Sequence, residues 1–76
     1  MKNVKIMFQG INDVRSFVSV AERYEFDIDI VLDRYRVNGK SIMGIFSLDL
    51  SSALELVVHS DDCAAFLAEI KSYIVE

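Results

Sequence analysis

Apolar residues recur at every second position in some stretches of the chain and at every third or fourth in others, and the switches between these periods divide it into elements. Val4, Ile6 and Phe8 alternate with Lys5 and Met7, the pattern of a strand with one buried face. Gln9-Gly10 interrupts it. From Asn12 the apolar side chains fall at Val14, Phe17, Val18, Ala21 and Tyr24, one stripe of an amphipathic helix. Asn12 or Asp13 can cap its start by accepting backbone N–H groups that have no partner there. Phe26, Ile28, Ile30 and Leu32 alternate with Asp27, Asp29 and Val31 in a second strand, and Leu32-Asp33-Arg34-Tyr35 turns the chain into a third, Tyr35 to Val37. Asn38-Gly39 is a hairpin dipeptide, but too little strand follows it, so it reads as the exit from the third strand. Ser41 caps a short helix running to about Leu48. Leu54, Leu56 and Val58 alternate with Glu55 and Val57 in a fourth strand. Asp61-Asp62 opens a last helix, with Cys63, Leu67, Ile70 and Ile74 on its buried stripe and Phe66 and Tyr73 flanking it.

The predicted order is βαββαβα. Each strand has one apolar face and each long helix one apolar stripe, so two layers bury both. The expectation is an α+β open-faced β-sandwich, a four-stranded antiparallel sheet covered on one face by three helices. Its other face, with Asp27, Asp29, Glu55 and His59, meets water.

Composition narrows this further. The chain has 76 residues, too few for two cores, so residues 1–76 are expected to form a single domain. A hydrophobic share of 53% is enough for a packed core. The net charge of −4 argues against nucleic acid, which needs a basic surface, and against an anionic membrane. Cys63 is the one cysteine, so no disulfide framework exists. No apolar run approaches a membrane span or a signal peptide. A cytoplasmic location is therefore expected, with no metal, no cofactor and no enzymatic activity.

Between Val37 and Leu48 the chain reads Val-Asn-Gly-Lys-Ser-Ile-Met-Gly-Ile-Phe-Ser-Leu. This segment resembles the HPr family, the phosphocarriers of the bacterial sugar phosphotransferase system, in the form found in low-GC Gram-positive bacteria. Ser52 to Asp62 is also similar to that family's fourth strand and following loop. The resemblance implies two sites. One is a Gly-[Ile/Leu]-His-x-Arg-Pro-Ala motif at the start of the first helix, whose histidine carries a phosphoryl group. With Gly10 on that glycine, Asn12 takes the histidine position, Val14 the arginine position and Arg15 the proline position. An amide nitrogen has its lone pair delocalised into the carbonyl and cannot replace imidazole as acceptor. Arg15 lies one residue on, about 100° around the helix from the direction a phosphate-holding guanidinium would need. No residue is therefore expected to be catalytic.

The second implied site is the serine of Lys-Ser-Ile-Met-Gly, which is Ser41. In the family it is phosphorylated by a dedicated ATP-dependent kinase, and the phosphorylated form docks on a transcriptional repressor. A subgroup of HPr-like proteins lacks the active histidine, keeps this serine and acts only in regulation, and the sequence resembles that subgroup. Ser41 is expected to be exposed at a helix start, with Lys40 and Arg36 adding favourable charge. Lys40, Ile42, Met43 and Phe46 are the expected partner-binding residues, while Ile45 and Leu48 suit the core. The partners implied are an HPr-type serine kinase, a repressor or components of the phosphotransferase system. Two other readings stay open: a carrier with a displaced acceptor, Asp13 or His59, and an interaction domain outside the phosphotransferase system on the same fold. His59 on its own reads as a solvated surface residue and Cys63 as a small core residue.

Overall fold

The computed structural model describes residues 1–75. Its strands are β1 (Lys2–Ile6), β2 (Ile28–Leu32), β3 (Tyr35–Asn38) and β4 (Leu54–Val58). Its helices are α1 (Ile11–Ala21), α2 (Ile42–Phe46) and α3 (Ala64–Glu69), followed by a 3₁₀ turn over Lys71–Tyr73. All strand pairs are antiparallel, in the order β1-β4-β2-β3. The last strand in sequence is therefore interior, with Val4 and Ile30 opposite Leu56 on either side. This is the expected open-faced α+β architecture. Leu54, Leu56 and Val58 lie under the helices with Ile6, Ile28 and Ile30, all essentially inaccessible. Val14, Phe17, Val18 and Ala21 of α1 and Phe66 of α3 close over them.

Three local expectations are corrected. The cap of α1 is Gly10 rather than Asn12 or Asp13, and no side chain accepts from the helix start. Asp13 instead reaches back and accepts the Gln9 backbone N–H at 2.9 Å, which fixes the approach to the helix from outside. β1 ends at Ile6, two residues before Phe8, yet Phe8 remains buried because it packs edge-on against Phe17. The last helix is short. It closes at Ile70, and the 3₁₀ turn then swings the chain back so that Ile74 pairs with Ile6. Val75 N–H donates to the Lys5 carbonyl and Met7 N–H to the Tyr73 carbonyl, both at 2.9 Å. A chain returning along β1 cannot keep a helical stripe, so Phe66 and Ile70 carry the burial. Leu67 and Ile74, expected on the buried stripe, are only half-buried, and Phe66, expected to flank it, is fully buried.

The tight turn at Asp33 holds, with Asp33 in the left-handed region at φ 56°, a conformation that Asp tolerates better than most residues. Asn38-Gly39 is the exit of β3, as the sequence predicts. Among the described residues no helix is long and apolar enough to cross a membrane.

Gly39 is the position that admits no side chain. Its N–H donates to the Ile28 carbonyl at 2.7 Å, and a Cβ there would sit 2.6 Å from Ile28 Cγ2. That methyl is attached close to the backbone of a core residue and cannot swing away. Gly39→Ala should therefore destabilise the fold by about 1–3 kcal/mol, the usual cost of overpacking. Urea denaturation checks this, and an unchanged midpoint would mean that Ile28 yields.

Candidate functional site

The Asn38–Gly44 turn is built by its own side chains. Asn38 Oδ1 accepts the Lys40 backbone N–H at 2.8 Å, and the Asn38 carbonyl accepts that of Ser41 at 3.0 Å. Ser41, in an extended conformation, is the N-cap of α2: its Oγ accepts the Gly44 N–H at 3.1 Å, and its carbonyl accepts Ile45 N–H at 3.0 Å. Gly44 allows this closeness, since a Cβ there would lie 3.3 Å from both Ser41 Oγ and Val37 Cβ. Lys40 folds away from solvent, and its Nζ donates to the Tyr24 carbonyl at 2.6 Å, tying the turn to the end of α1.

Several expected features of this site are altered. Ser41 is half-buried rather than exposed, because its hydroxyl turns inward onto the helix start. Lys40 is half-buried and already bonded. Arg36 points to the open sheet face, where Nη1 pairs with Asp29 Oδ2 at 2.6 Å, so it adds no charge beside Ser41. Of the expected apolar patch, Met43 is 78% and Phe46 37% exposed, while Ile42 is half-buried against the core. The division follows from helical geometry: Ile45 and Leu48 face inward as the pattern predicts, and Ile42 lies one turn below Ile45 on nearly the same side.

At the start of α1, Asn12 and Arg15 are exposed and Val14 is fully buried in the core. A side chain at position 14 points under the helix, away from any group bound at its start. A shallow hollow lies beside Gly10, lined by Met7, Phe8, Gln9, Leu50 and Ser51, with no cationic residue among them. Cys63 is buried and unpaired. Among the described residues no three His, Cys, Asp or Glu side chains converge as a metal site.

His59 is exposed but not free. Its Nε2 lies 2.8 Å from Asp29 Oδ2, the oxygen that also binds Arg36. Partial burial pushes the Asp29 pKa up, but the hydrogen bonds from His59 and Arg36, with their charges, outweigh it and hold it below its ordinary value. A second polar group is not visible in the sequence: Arg23 and Tyr24, just past the end of α1, both donate to Glu69 of α3. Those two hydrogen bonds lower the Glu69 pKa, and the Glu69 bond raises that of Tyr24. The signal was faint, because two residues that end one stripe and one that ends another meet only after α1 and α3 are packed.

Known proteins share both the sequence pattern and the fold. The family described as PTS HPr component phosphorylation site matches residues 14–76, so Gly10–Asp13 lies outside the match. The chain is 43% identical over 56 residues to the phosphocarrier protein HPr of Treponema pallidum (strain Nichols), covering 71% of this chain and 64% of that protein, just under two thirds of its length. It is 36% identical over 62 residues to the HPr-like protein Crh of Bacillus subtilis (strain 168), covering 79% of this chain and 73% of Crh. The crystal structure of HPr-C-His from Thermoanaerobacter tengcongensis superposes with a TM-score of 0.79 at 29% identity, over 95% of this chain and 89% of that one.

Two expectations follow from the geometry. Ser41→Ala removes the acceptor of the Gly44 N–H and should cost about 1 kcal/mol in urea denaturation, with faster exchange of that amide, while Ser41→Asp keeps an acceptor and most of the stability. For Asp29, a folded pKa below 3.8 means that its stabilising contribution is present above that value and is lost as pH falls through the folded pKa. Asp29→Asn should therefore lower stability at pH 7 by about 1 kcal/mol or less. The gap from wild type should close in thermal melts taken at progressively more acidic pH.

Proposed function

The chain belongs to the HPr family of the phosphotransferase system, and we propose that within it this protein is a regulatory, protein-binding module switched by phosphorylation of Ser41. Members of the family are phosphocarrier proteins and not enzymes. The observation that carries the reading is the contrast between the two ends of the helical layer. The Lys40-Ser41-Ile42-Met43-Gly44 segment keeps the family's residues and forms a capped helix start beside two exposed apolar side chains. The start of α1 has an amide, Asn12, where the motif would carry its histidine, and a core residue, Val14, where it would carry its arginine.

The chemistry of each end supports this. A phosphate on Ser41 would add a charge of about −1.5 to −2, and its oxygens can take over the Gly44 N–H that the hydroxyl now accepts. No acidic residue lies between Arg36 and Leu48 to oppose it. Met43 and Phe46 provide the adjoining surface for a protein partner, which on this reading is a transcriptional repressor or another component of the phosphotransferase system in the cytoplasm. Ile42, half-buried against the core, seats the helix that carries them, while Lys40, tied to the Tyr24 carbonyl, borders the Ser41 turn. A displaced acceptor is disfavoured on electrostatic grounds. Asp13 already accepts the Gln9 N–H, and His59 is bonded to the Asp29 carboxylate, whose charge repels a phosphoryl group.

Two incubations read by intact mass test the proposal. With phosphoenolpyruvate and the general enzyme of the phosphotransferase system, no phosphoryl transfer is expected; any stable transfer would contradict the loss of carrier chemistry, and its loss in His59→Ala or Asp13→Ala would identify a displaced acceptor. With an HPr-type serine kinase and ATP, one phosphate is expected on wild type and none on Ser41→Ala. No gain on wild type, or an equal gain on the alanine variant, would leave Ser41 as a helix cap only.

A further inference from the structure

Lys40 is a half-buried cation whose partner is neutral. Its Nζ donates to the Tyr24 carbonyl at 2.6 Å and, among the described residues, pairs with no carboxylate. Of the eight Lys and Arg residues only Arg23 and Arg36 pair with a carboxylate among the described residues; Lys40 is set apart by being held on a backbone carbonyl at the joint between α1 and β2. The Tyr24 carbonyl in turn accepts from no other described residue. Tyr24 is itself a junction. Its N–H donates to the Ala21 carbonyl at 3.2 Å, its hydroxyl donates to Glu69, and its ring stacks on Phe26 and meets Phe66 edge-on.

We infer that Lys40 is a lever: a phosphate on the neighbouring Ser41 draws its ammonium off the Tyr24 carbonyl, so that charge added at α2 is sensed at the α1–α3 end of the molecule. This deepens the reading of Ser41 as the switch and rests on it. The competition is between a neutral carbonyl and a dianion on the adjacent residue. Charge-assisted bonds to phosphate are the stronger of the two. A lysine suits the exchange because its ammonium is a compact charge on a flexible stem with three donors and can turn between acceptors without a fixed fork geometry. Once released, the Tyr24 carbonyl turns to water. The Asn38–Ser41 turn and the Tyr24–Glu69 contact, now joined through Lys40, become independent of each other. The contacts that change, around Tyr24 and Glu69, are not those of Met43 and Phe46, so one modification alters two parts of the surface.

The test uses the full chain made with phosphoserine at position 41, so that it does not depend on any kinase. Failure of the kinase reaction above would remove the Ser41 switch in nature and leave this measurement intact; failure here would leave the kinase reaction untouched. The readout is the carbonyl carbon resonance of Tyr24. Phosphoserine should shift it in the same direction as Lys40→Met does in the unmodified chain, and in Lys40→Met the phosphate should produce no further shift. A Tyr24 resonance unmoved by phosphoserine overturns the inference, as does an equal phosphate-induced shift in Lys40→Met. Should Lys40→Met fail to fold, the Nζ nitrogen resonance of Lys40 in the wild-type pair decides: it must move on phosphorylation together with the Tyr24 carbonyl, and a Tyr24 shift without it counts against the lever.

Discussion

Phe17 of α1 and Phe66 of α3 meet edge to face, with ring centroids 6.1 Å apart and neither ring accessible to solvent. Everything on the helical side of the sheet is arranged around this contact. From Phe17 the aromatic chain runs to Phe8 at 5.3 Å and on to Tyr73 at 5.7 Å, joining the exit of β1 to the closing turn. From Phe66 it runs to Tyr24 at 5.3 Å and then to Phe26, joining the end of α1 to the start of β2. Six of the eight aromatic residues therefore form one seam across the sheet. The buried rings of Phe8, Phe17 and Phe66 contribute about 1.5–3 kcal/mol each by burial and the half-buried Tyr24, Phe26 and Tyr73 less, with a further 0.5–1.5 kcal/mol per well-oriented pair. In a chain this short those terms are a large part of the whole stability.

The open face is held differently. Val57 is only 5% exposed although no helix covers it. Its shelter is polar: Asn3 and Asp29 stand opposite it on the neighbouring strands, with Asn3 bonded to Glu55 and Asp29 to both His59 and Arg36. A single carboxylate oxygen thus links β2, β3 and the end of β4. The short edge strand β3, with little apolar area of its own, is fastened to the sheet partly by charge.

These two faces leave room for the proposed Ser41 switch to act without unsettling the fold. Ile45 anchors α2 in the core and Ser41 caps it, so the helix start is fixed from below by packing and from within by one hydrogen bond. On the proposed reading a phosphate would replace that bond with a similar one, leave the aromatic seam and the carboxylate clasp in place, and act through its charge on Lys40 and on the surface around Met43.

Alternation and helical spacing determined the order of elements, the buried residues of α1 and the Ser41 cap, because each depends on neighbours within a few positions along the chain. The Lys40–Gly44 motif determined the family on the same terms, from contiguous residues. The length of the last helix, the use of Gly10 in place of Asn12 or Asp13 as a cap, and the burial of Val57 were decided by tertiary structure. The first and last of these depend on partners far away in sequence, Ile6 for Ile74 and Asn3 with Asp29 for Val57, while Asp13 is drawn off the helix start by the Gln9 N–H four residues before it. The fate of Lys40 belongs with these. Its sequence neighbours marked it as part of a surface for partners, and only the packing of α1 against the Asn38–Ser41 turn brought a carbonyl within its reach.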